Sequence, residues 1–329
     1  MRSSRSPQTW PHLDKVEKCA FLHITLDGRS GSVCTRSVQA LAETHYPALF
    51  RAADMNAVSG QHRLLVATGL RLVALLAAAV CGTFTVRMGR VDAAALLAAA
   101  GLGAGLVVEV WLLTERPDRQ WYESRAAAES AKTLAWRFAV GGQPFGAEDV
   151  DDRTAEALLL HRFAVIRGNL HALVVDGESG GLQVTEGMRE LRARSLTERR
   201  DAYRAERIED QRQWYARRSA AHGRGVVRWS VLLAALEALG LVAAVLNAVS
   251  LLSLDLPGIA GAVAAGGLAW VQTRQHQQLA TAYGIAAQEL AEIACRIEWP
   301  ETEPEWAHFV DEVEEAISRE HTLWWASHV

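Results

Sequence analysis

The sequence predicts an all-α membrane protein with two antiparallel transmembrane helical hairpins, four membrane helices in total, and long cytoplasmic helices. Three observations predict this fold class. Half of the 329 residues are hydrophobic although 22% are charged, so the apolar residues must be concentrated in blocks. Four such blocks occur, grouped in two pairs. The link within each pair is only a few residues long, so the chain has to turn back on itself.

The apolar blocks place the membrane helices at about residues 64–86, 93–113, 230–254 and 256–273. Each block with its flanks approaches the roughly 20 residues that a helix needs to cross ~30 Å of hydrocarbon. A soluble bundle with an alanine-rich core is the alternative, because alanine is close to neutral for membrane insertion. Four paired blocks without an amphipathic period favour the membrane.

Aromatic and basic residues indicate the orientation of the hairpins. Trp111, Trp229 and Trp270 lie at the block ends opposite the hairpin tips, where an aromatic belt forms at the membrane–water interface. Most arginines near the blocks lie on that same side, whereas the tips contain Arg87, Arg90 and an aspartate. The positive-inside rule therefore predicts that both termini and the long middle segment are cytoplasmic.

The chain divides into an extension and two segments with one hairpin each. Residues 1–44 are basic and serine-rich without the apolar stretch of a signal peptide, and we expect a poorly ordered extension. The first hairpin belongs to residues 45–184 and the second to residues 185–329. Residues 189–228 contain twelve arginines and residues 298–320 contain nine carboxylates. These two stretches either pair with each other or are solvated helix faces.

A polar-aromatic phrase occurs twice, as RQWYESRAAA after the second block and as RQWYARRSAA before the third. Trp121 and Arg125 in the first copy, like Trp214 and Arg218 in the second, are four residues apart and share a helix face. That spacing suits a cation–π contact, and it also suits anchoring at the membrane interface. The phrases are thus candidates for an interfacial or gating motif, which comprises Trp121, Tyr122, Arg125, Trp214, Tyr215 and Arg218.

Four polar residues lie within the apolar blocks: Arg71, Glu109, Glu237 and Asn247. An ionised side chain there costs about 2.5–3.5 kcal/mol at the bilayer centre, so it faces a partner or water. Arg71 and Glu109 lie on the two arms of one hairpin at similar depth, and we expect a salt bridge between them. Glu237 has no partner in its own hairpin. It either lines an aqueous path in an oligomer or reaches back to the interface.

Small residues at four-residue spacing predict close helix packing. The second block contains Gly101 and Gly105, and the fourth contains Gly258, Ala262 and Gly266. These faces join the hairpins within one subunit or join subunits to each other.

The sequence does not indicate an enzyme. GESGG around Ser179 matches the hydrolase pattern G-x-S-x-G, but no series of strands and helices surrounds it, so a turn between helices is the better interpretation. Nucleotide-binding and zinc motifs are absent, and the four cysteines form no cluster. We therefore expect no cofactor and no metal. A net charge of −4 argues against nucleic-acid binding.

Several stretches resemble the SLATT superfamily, the "SMODS and SLOG-associating two-transmembrane effector" domains. HYPALFRAAD (His45–Asp54) and AESAKTLAWR (Ala128–Arg137) flank the first hairpin and are similar to one subfamily. RIEDQRQWY (Arg207–Tyr215) and FVDEVEEAISREHTLWW (Phe309–Trp325) flank the second and are similar to another. The resemblance covers the chain from about residue 45 onward.

This resemblance implies a bacterial inner-membrane effector from a conflict or anti-phage system. It implies a homo-oligomer that forms pores and is gated by a nucleotide signal, through a cytosolic sensor or synthase as partner. The family offers no catalytic residues. The alternative is a membrane-anchored scaffold that recruits a cytosolic partner and conducts no ions.

Overall fold

The computed structural model describes residues 46–168, 181–251 and 254–325. The expected extension at residues 1–44 and the turn around Ser179 lie outside the described residues. The described part is helical apart from two short strands. Its elements in chain order are α1 (Ala48–Gly82), β1 (Arg87–Met88), β2 (Val91–Asp92), α2 (Ala93–Glu115), α3 (Pro117–Val140), α4 (Asp152–Gly168), α5 (Glu186–Arg192), α6 (Leu196–Ala202), a π-helical segment (Tyr203–Glu209), α7 (Asp210–Ala248), α8 (Leu256–Arg274), α9 (His276–Arg296) and α10 (Glu303–Trp325).

The first hairpin consists of α1 and α2, which pack side by side. Its tip is a small β-hairpin, in which Arg87 lies opposite Asp92 and Gly89 takes a φ of 68° in the turn. Asp92 then caps α2, because its carboxylate accepts hydrogen bonds from the backbone N–H groups of Ala94 and Ala95.

The second hairpin consists of α7 and α8. Asp255 caps α8 by accepting a hydrogen bond from the Gly258 N–H at 3.0 Å. The two arms approach closely at Gly240, where an added Cβ would lie 3.1 Å from the Cβ of Ala260. α8 also contacts α1, so the two hairpins lie against each other.

Both hairpins have an unbroken incoming arm and a bent outgoing arm. α1 and α7 run from the charged segments through the apolar blocks without interruption. Arg116 (φ 43°) lies between the end of α2 and the start of α3, and Gln275 (φ 44°) lies between the end of α8 and the start of α9. The left-handed conformation is costly for a residue with a side chain. Its recurrence at equivalent positions therefore indicates a structural repeat of helix, helix, bend and helix.

The helices outside the apolar blocks form a second layer with an aromatic core. Trp136, Phe138, Tyr203 and Trp306 are at most 1% exposed. The ring of Tyr203 meets those of Trp136 and Trp306 edge-on, with centroids 5.8 and 5.7 Å away. Such edge-to-face pairs stabilise a core beyond the area that they bury. This layer, rather than the apolar blocks, contains the chain's main hydrophobic core.

Three helical runs, Ala48–Gly82, Ala93–Val140 and Leu196–Ala248, are long and apolar enough to cross a membrane. At most 11% of the residues in their most apolar windows are buried within the chain. Faces this apolar and this exposed belong in lipid, so the predicted all-α membrane fold is confirmed. α8, the fourth predicted span, is not among these runs in the described part of the chain. Its crossing of the membrane stays a prediction.

Candidate functional site

An ion pair joins the two arms of the first hairpin within its apolar part. Arg71 Nη1 on α1 lies 2.6 Å from Glu109 Oε2 on α2, and the side chains are 38% and 35% exposed. Each charge alone would be costly in hydrocarbon, and each neutralises the other. The first hairpin thus satisfies its own intramembrane charges.

The polar residues of the second hairpin have different surroundings. Asn247 donates a hydrogen bond from Nδ2 to the carbonyl oxygen of Leu254 at 3.3 Å, which ties the end of α7 to the tip. Glu237 is exposed and forms no ion pair with another described residue. It lies about 12 Å beyond Trp229 along the helix axis, close to the middle of a hydrocarbon layer ~30 Å thick. A carboxylate at that depth needs water or a group from outside the chain.

The glycines of α2 bring the arms of the first hairpin together. A Cβ at Gly101 would lie 2.8 Å from the carbonyl oxygen of Ala74, and one at Gly105 would lie 3.0 Å from Leu75 Cδ2. Both positions therefore require the absence of a side chain, as expected for close helix packing.

The predicted small-residue face of α8 is used differently. Gly258 lies against its own helix cap, and Ala262 is half-buried. A Cβ at Gly266 would meet no atom within 4 Å. The contact with α7 instead involves the neighbouring Gly267, whose added Cβ would lie 3.0 Å from Leu233 Cδ2. The face at Gly266 is thus open within the described chain.

The first copy of the repeated phrase joins α3 to α1. Trp121 and Tyr122 are 2% and 6% exposed, and their rings stack with centroids 4.7 Å apart. Arg125 is buried in the same contact, where its guanidinium pairs with Asp54 of α1 at 3.1 Å and with Glu129. These side chains lie inside a helix–helix contact rather than at the lipid boundary.

The second copy joins α7 to α9. Trp214 and Tyr215 are 9% and 6% exposed and both pack on Tyr283, with centroids 5.5 and 5.7 Å away. The guanidinium of Arg218 lies 5.3 Å from the centroid of the Trp214 ring, a cation–π contact at the predicted four-residue spacing. Each phrase therefore packs the two arms of its own hairpin together outside the apolar blocks. The first copy lies on the outgoing arm and the second on the incoming arm.

Two histidines meet beside the bend of the second hairpin. The Nδ1 atoms of His222 on α7 and His276 on α9 are 3.0 Å apart, so one imidazole donates a hydrogen bond to the other. Burial and the neighbouring His276, with smaller effects from Arg218 and Arg274, lower the pKa of His222 to about 4. Burial also lowers the pKa of His276. Both rings are therefore neutral at pH 7. No sequence pattern predicts this contact, because the residues are 54 positions apart.

The most buried ion pair among the described residues lies within the second half of the chain, and a hydrogen bond from Thr133 links it to the first half. Arg207 Nη2 in the π-helical segment lies 2.6 Å from Glu314 Oε2 on α10, with side chains 1% and 0% exposed. Thr133 of α3 and Tyr203 donate to the same carboxylate at 2.9 and 3.0 Å. Burial and the Glu314 charge raise the pKa of Tyr203 well above its usual value. Although burial opposes the charged form, Glu314 raises the pKa of Arg207 as well.

Further pairs show that the arginine-rich and acidic stretches do meet. Arg204 Nη1 lies 2.8 Å from Glu298 Oε1, and Arg199 pairs with Glu303. Arg199 is only 3% exposed and also donates to the carbonyl oxygen of Val140 at 2.7 Å. Of the two interpretations of these charges, pairing within the second layer is the one that the structure shows.

Arg192 fastens the loop that follows α3. Its Nη1 donates to the carbonyl oxygens of Phe138 and Phe145 at 3.1 and 2.7 Å, and its Nε lies 2.8 Å from Asp152 Oδ1. Sequence reasoning missed this role, because an arginine that is buried among carbonyls has the same local pattern as a solvated one.

The described residues offer little for metal or redox chemistry. Within them, no group of three His, Cys, Asp or Glu side chains is arranged to hold a metal ion. Cys81 and Cys295 are free thiols. One shallow groove in the second layer is lined by Glu156, Arg189 and neighbours, and these two form an ion pair at 2.7 Å.

Comparison with known families assigns most of the chain to two domains of one kind. Residues 47–200 match SMODS and SLOG-associating 2TM effector domain 3, and residues 203–324 match SMODS and SLOG-associating 2TM effector domain 1. Each match contains one hairpin and its bent outgoing arm. No curated protein and no solved structure is significantly similar to the chain.

Proposed function

The chain belongs to the SLATT superfamily, with two 2TM effector domains in tandem, and from this premise we propose that it assembles into an oligomeric, ion-conducting pore. The family supports a membrane effector that is associated with SMODS and SLOG systems. Conduction, oligomerisation and gating are the parts that we add. The protein would disable the cell by making its inner membrane permeable, without catalysing a reaction.

Glu237 is the observation that carries this proposal. It is an exposed carboxylate near mid-membrane, and it has no ion-pair partner among the described residues. The first hairpin, by contrast, neutralises its charges internally. A carboxylate is retained at such a cost where it meets water or another subunit. Several copies that turn Glu237 toward a common axis would form a cation-attracting ring.

The second layer supplies a route for gating. The arginines next to the apolar blocks favour a cytoplasmic location for this layer, with both termini on that side. Arg207 and Glu314, both in the second domain, are hydrogen-bonded to Thr133 of the first domain. A cytosolic sensor or synthase that moves these helices would act on both hairpins through the bends at Arg116 and Gln275. The signal would thus enter through a protein contact.

Ion conductance of the purified full-length protein in planar bilayers tests the proposal. We expect discrete cation-selective openings, stronger when soluble extract from stressed cells is added. Glu237→Gln should lower the unitary conductance and the cation selectivity, because it removes the charge in the hydrocarbon layer. Glu289→Gln is the matched control, since Glu289 is exposed on α9 outside the apolar blocks.

A silent bilayer with verified insertion, with and without extract, would contradict the pore. The protein would then be a membrane-anchored scaffold for a cytosolic partner. Equal effects of Glu237→Gln and Glu289→Gln would remove Glu237 from the conduction path.

A further inference from the structure

The second hairpin carries an excess of positive charge where it leaves the membrane. Residues 211–236 and 256–288 contain six arginines and neither aspartate nor glutamate. At the corresponding level of the first hairpin, Arg116 lies between Glu115 and Asp118, and Arg119 Nε pairs with Glu123 at 2.7 Å. Arg63 on α1 is exposed and forms no ion pair with a described residue, but Glu115, Asp118 and Glu123 lie at the same boundary. The first boundary is therefore nearly balanced in charge, and the second is not.

Three of the six arginines have identified contacts within the chain. Arg212 pairs with Glu209 at 2.6 Å, and Arg218 lies over Trp214. The guanidinium of Arg274 lies 5.9 Å from the centroid of the Trp270 ring. The other three, Arg217, Arg224 and Arg228, are exposed on α7 and form no ion pair with a described residue.

These three arginines form one row on α7. They are seven and four residues apart, so they share a face of the helix. Side chains that pack on α9, such as Tyr215, Ser219 and His222, lie on the opposite face. Toward the membrane the row continues as exposed Val231, Leu239 and Val242, which face lipid. The arginine row is thus the continuation of a lipid-facing surface into the polar region.

The arginines differ in depth. Arg228 precedes Trp229, where the apolar block begins, whereas Arg224 lies about 7 Å and Arg217 about 18 Å before it along the axis. The headgroup region is about 5–8 Å thick on each side of the hydrocarbon. An arginine side chain can extend toward the interface. Arg228 and Arg224 therefore reach the phosphate level, and Arg217 does not.

We propose that Arg224 and Arg228 bind the phosphate of an anionic phospholipid against α7. A guanidinium presents forked N–H donors that match phosphate oxygens, and basic side chains beside a membrane helix attract anionic lipids. The lipid supplies the negative charge that the second boundary lacks. The proposal requires only that α7 crosses the membrane, so it stands or falls independently of conduction.

Native mass spectrometry of the full-length protein in detergent tests this, with phosphatidylglycerol and phosphatidylcholine as probes. We expect a preference for phosphatidylglycerol. Arg224→Gln and Arg228→Gln should each lower its apparent association constant roughly five-fold, since a basic residue near a charged surface contributes about that factor. Arg217→Gln, on the same face but deeper in water, and Arg119→Gln, at the nearly balanced boundary, should change it less than two-fold.

Two results would overturn the assignment. A loss of phosphatidylglycerol binding with Arg217→Gln as large as that with Arg228→Gln would mean that the lipid responds to the charge of the whole row rather than to a site at Arg224 and Arg228. An unchanged lipid preference in Arg224→Gln/Arg228→Gln would mean that these arginines do not bind lipid. Folding is checked by melting temperature, because exposed Arg→Gln changes on a helix have small effects on stability.

Discussion

The two hairpins share one architecture but differ in how they satisfy polar groups. In the first, Arg71 and Glu109 neutralise each other across the arms, and the glycines of α2 close the packing. In the second, Glu237 has no ion-pair partner in the described chain, and Gly266 faces open space. The first hairpin neutralises its intramembrane charges and fills its helix contact internally. The second leaves a carboxylate and a helix face available to water, lipid or another copy of the chain.

This difference arises from the placement of a few charges rather than from composition. Both hairpins have alanine- and leucine-rich arms, a capped outgoing helix and a left-handed bend. An ion pair forms in the first because opposite charges lie at matching depth on both arms. In the second, α8 contains no charged residue from Leu256 to Thr273, so Glu237 has no counter-ion there. The two hairpins thus differ in whether the intramembrane charge is neutralised within the hairpin.

The largest expected effect on stability comes from breaking the ion pair of the first hairpin. Arg71→Leu should lower the free energy of unfolding by about 2–3 kcal/mol, because it leaves Glu109 unpaired in hydrocarbon. Arg71→Leu/Glu109→Leu should recover most of that loss. Unfolding in mixed micelles at increasing SDS, followed by circular dichroism, measures both. Glu237→Leu is the contrasting variant and should not destabilise the monomer.

A loss in the double variant as large as that in Arg71→Leu would show that the pair contributes packing rather than charge neutralisation. The two hairpins would then differ less than the structure indicates.

A smaller effect on stability is expected from filling the glycine positions, and it should differ between α2 and α8. Gly101→Val should cost about 1–3 kcal/mol, since its Cβ would meet the Ala74 carbonyl oxygen and force the arms of the hairpin apart. Gly266→Val should cost less than about 0.5 kcal/mol in the monomer because the position is open. The same SDS titration measures both, and the two substitutions change helix propensity in the same direction and by a similar amount.

Gly266→Val also reports on assembly. If cross-linking in membranes shows a smaller oligomer for this variant at unchanged monomer stability, the open face of α8 is a subunit contact. Equal losses of monomer stability in Gly266→Val and Gly101→Val would contradict the inference that the Gly266 face is open while the Gly101 face is packed.

The large-scale architecture could be predicted from the sequence. Blocks of apolar residues with short links predict helical hairpins whatever the details of packing, and the membrane fold is confirmed. The proximity of Arg71 and Glu109 followed from depth along two antiparallel arms. Such inferences need only helix geometry and the thickness of a bilayer.

Contacts between distant helices could not be predicted in the same way. His222 and His276, or Arg207 and Glu314, meet because separate helices cross at those points, and no local pattern records the crossing. The bend at Gln275 was also missed, because glutamine gives no indication of a left-handed conformation. For the repeated phrase, the sequence indicated one helix face, but not whether that face meets lipid or protein.

The smallest expected effect concerns the histidine contact that only the second hairpin has. The pKa of His222 is lowered to about 4 in the folded protein, from an unfolded value near 6.5. Well above pH 6.5, His222 is unprotonated in both the folded and the unfolded state. The histidine contact therefore adds no pH dependence to the stability in that range. As the pH falls from 6.5 toward 4, the unfolded state binds more protons and the free energy of unfolding decreases. Because the pair is half-buried, we expect a loss of about 1 kcal/mol by pH 5.

Melting temperatures of the wild type and of His222→Gln/His276→Gln between pH 7.5 and 5 measure this loss. The wild type should lose more stability on acidification than the double variant, because the variant has no imidazoles that resist protonation. His62→Gln is the control, since His62 lies exposed on α1 at the corresponding level of the first hairpin. Parallel pH profiles for the wild type and the double variant would show that the contact does not titrate. A loss on acidification in the wild type and in His62→Gln, but not in the double variant, would assign the acid sensitivity to the contact between α7 and α9.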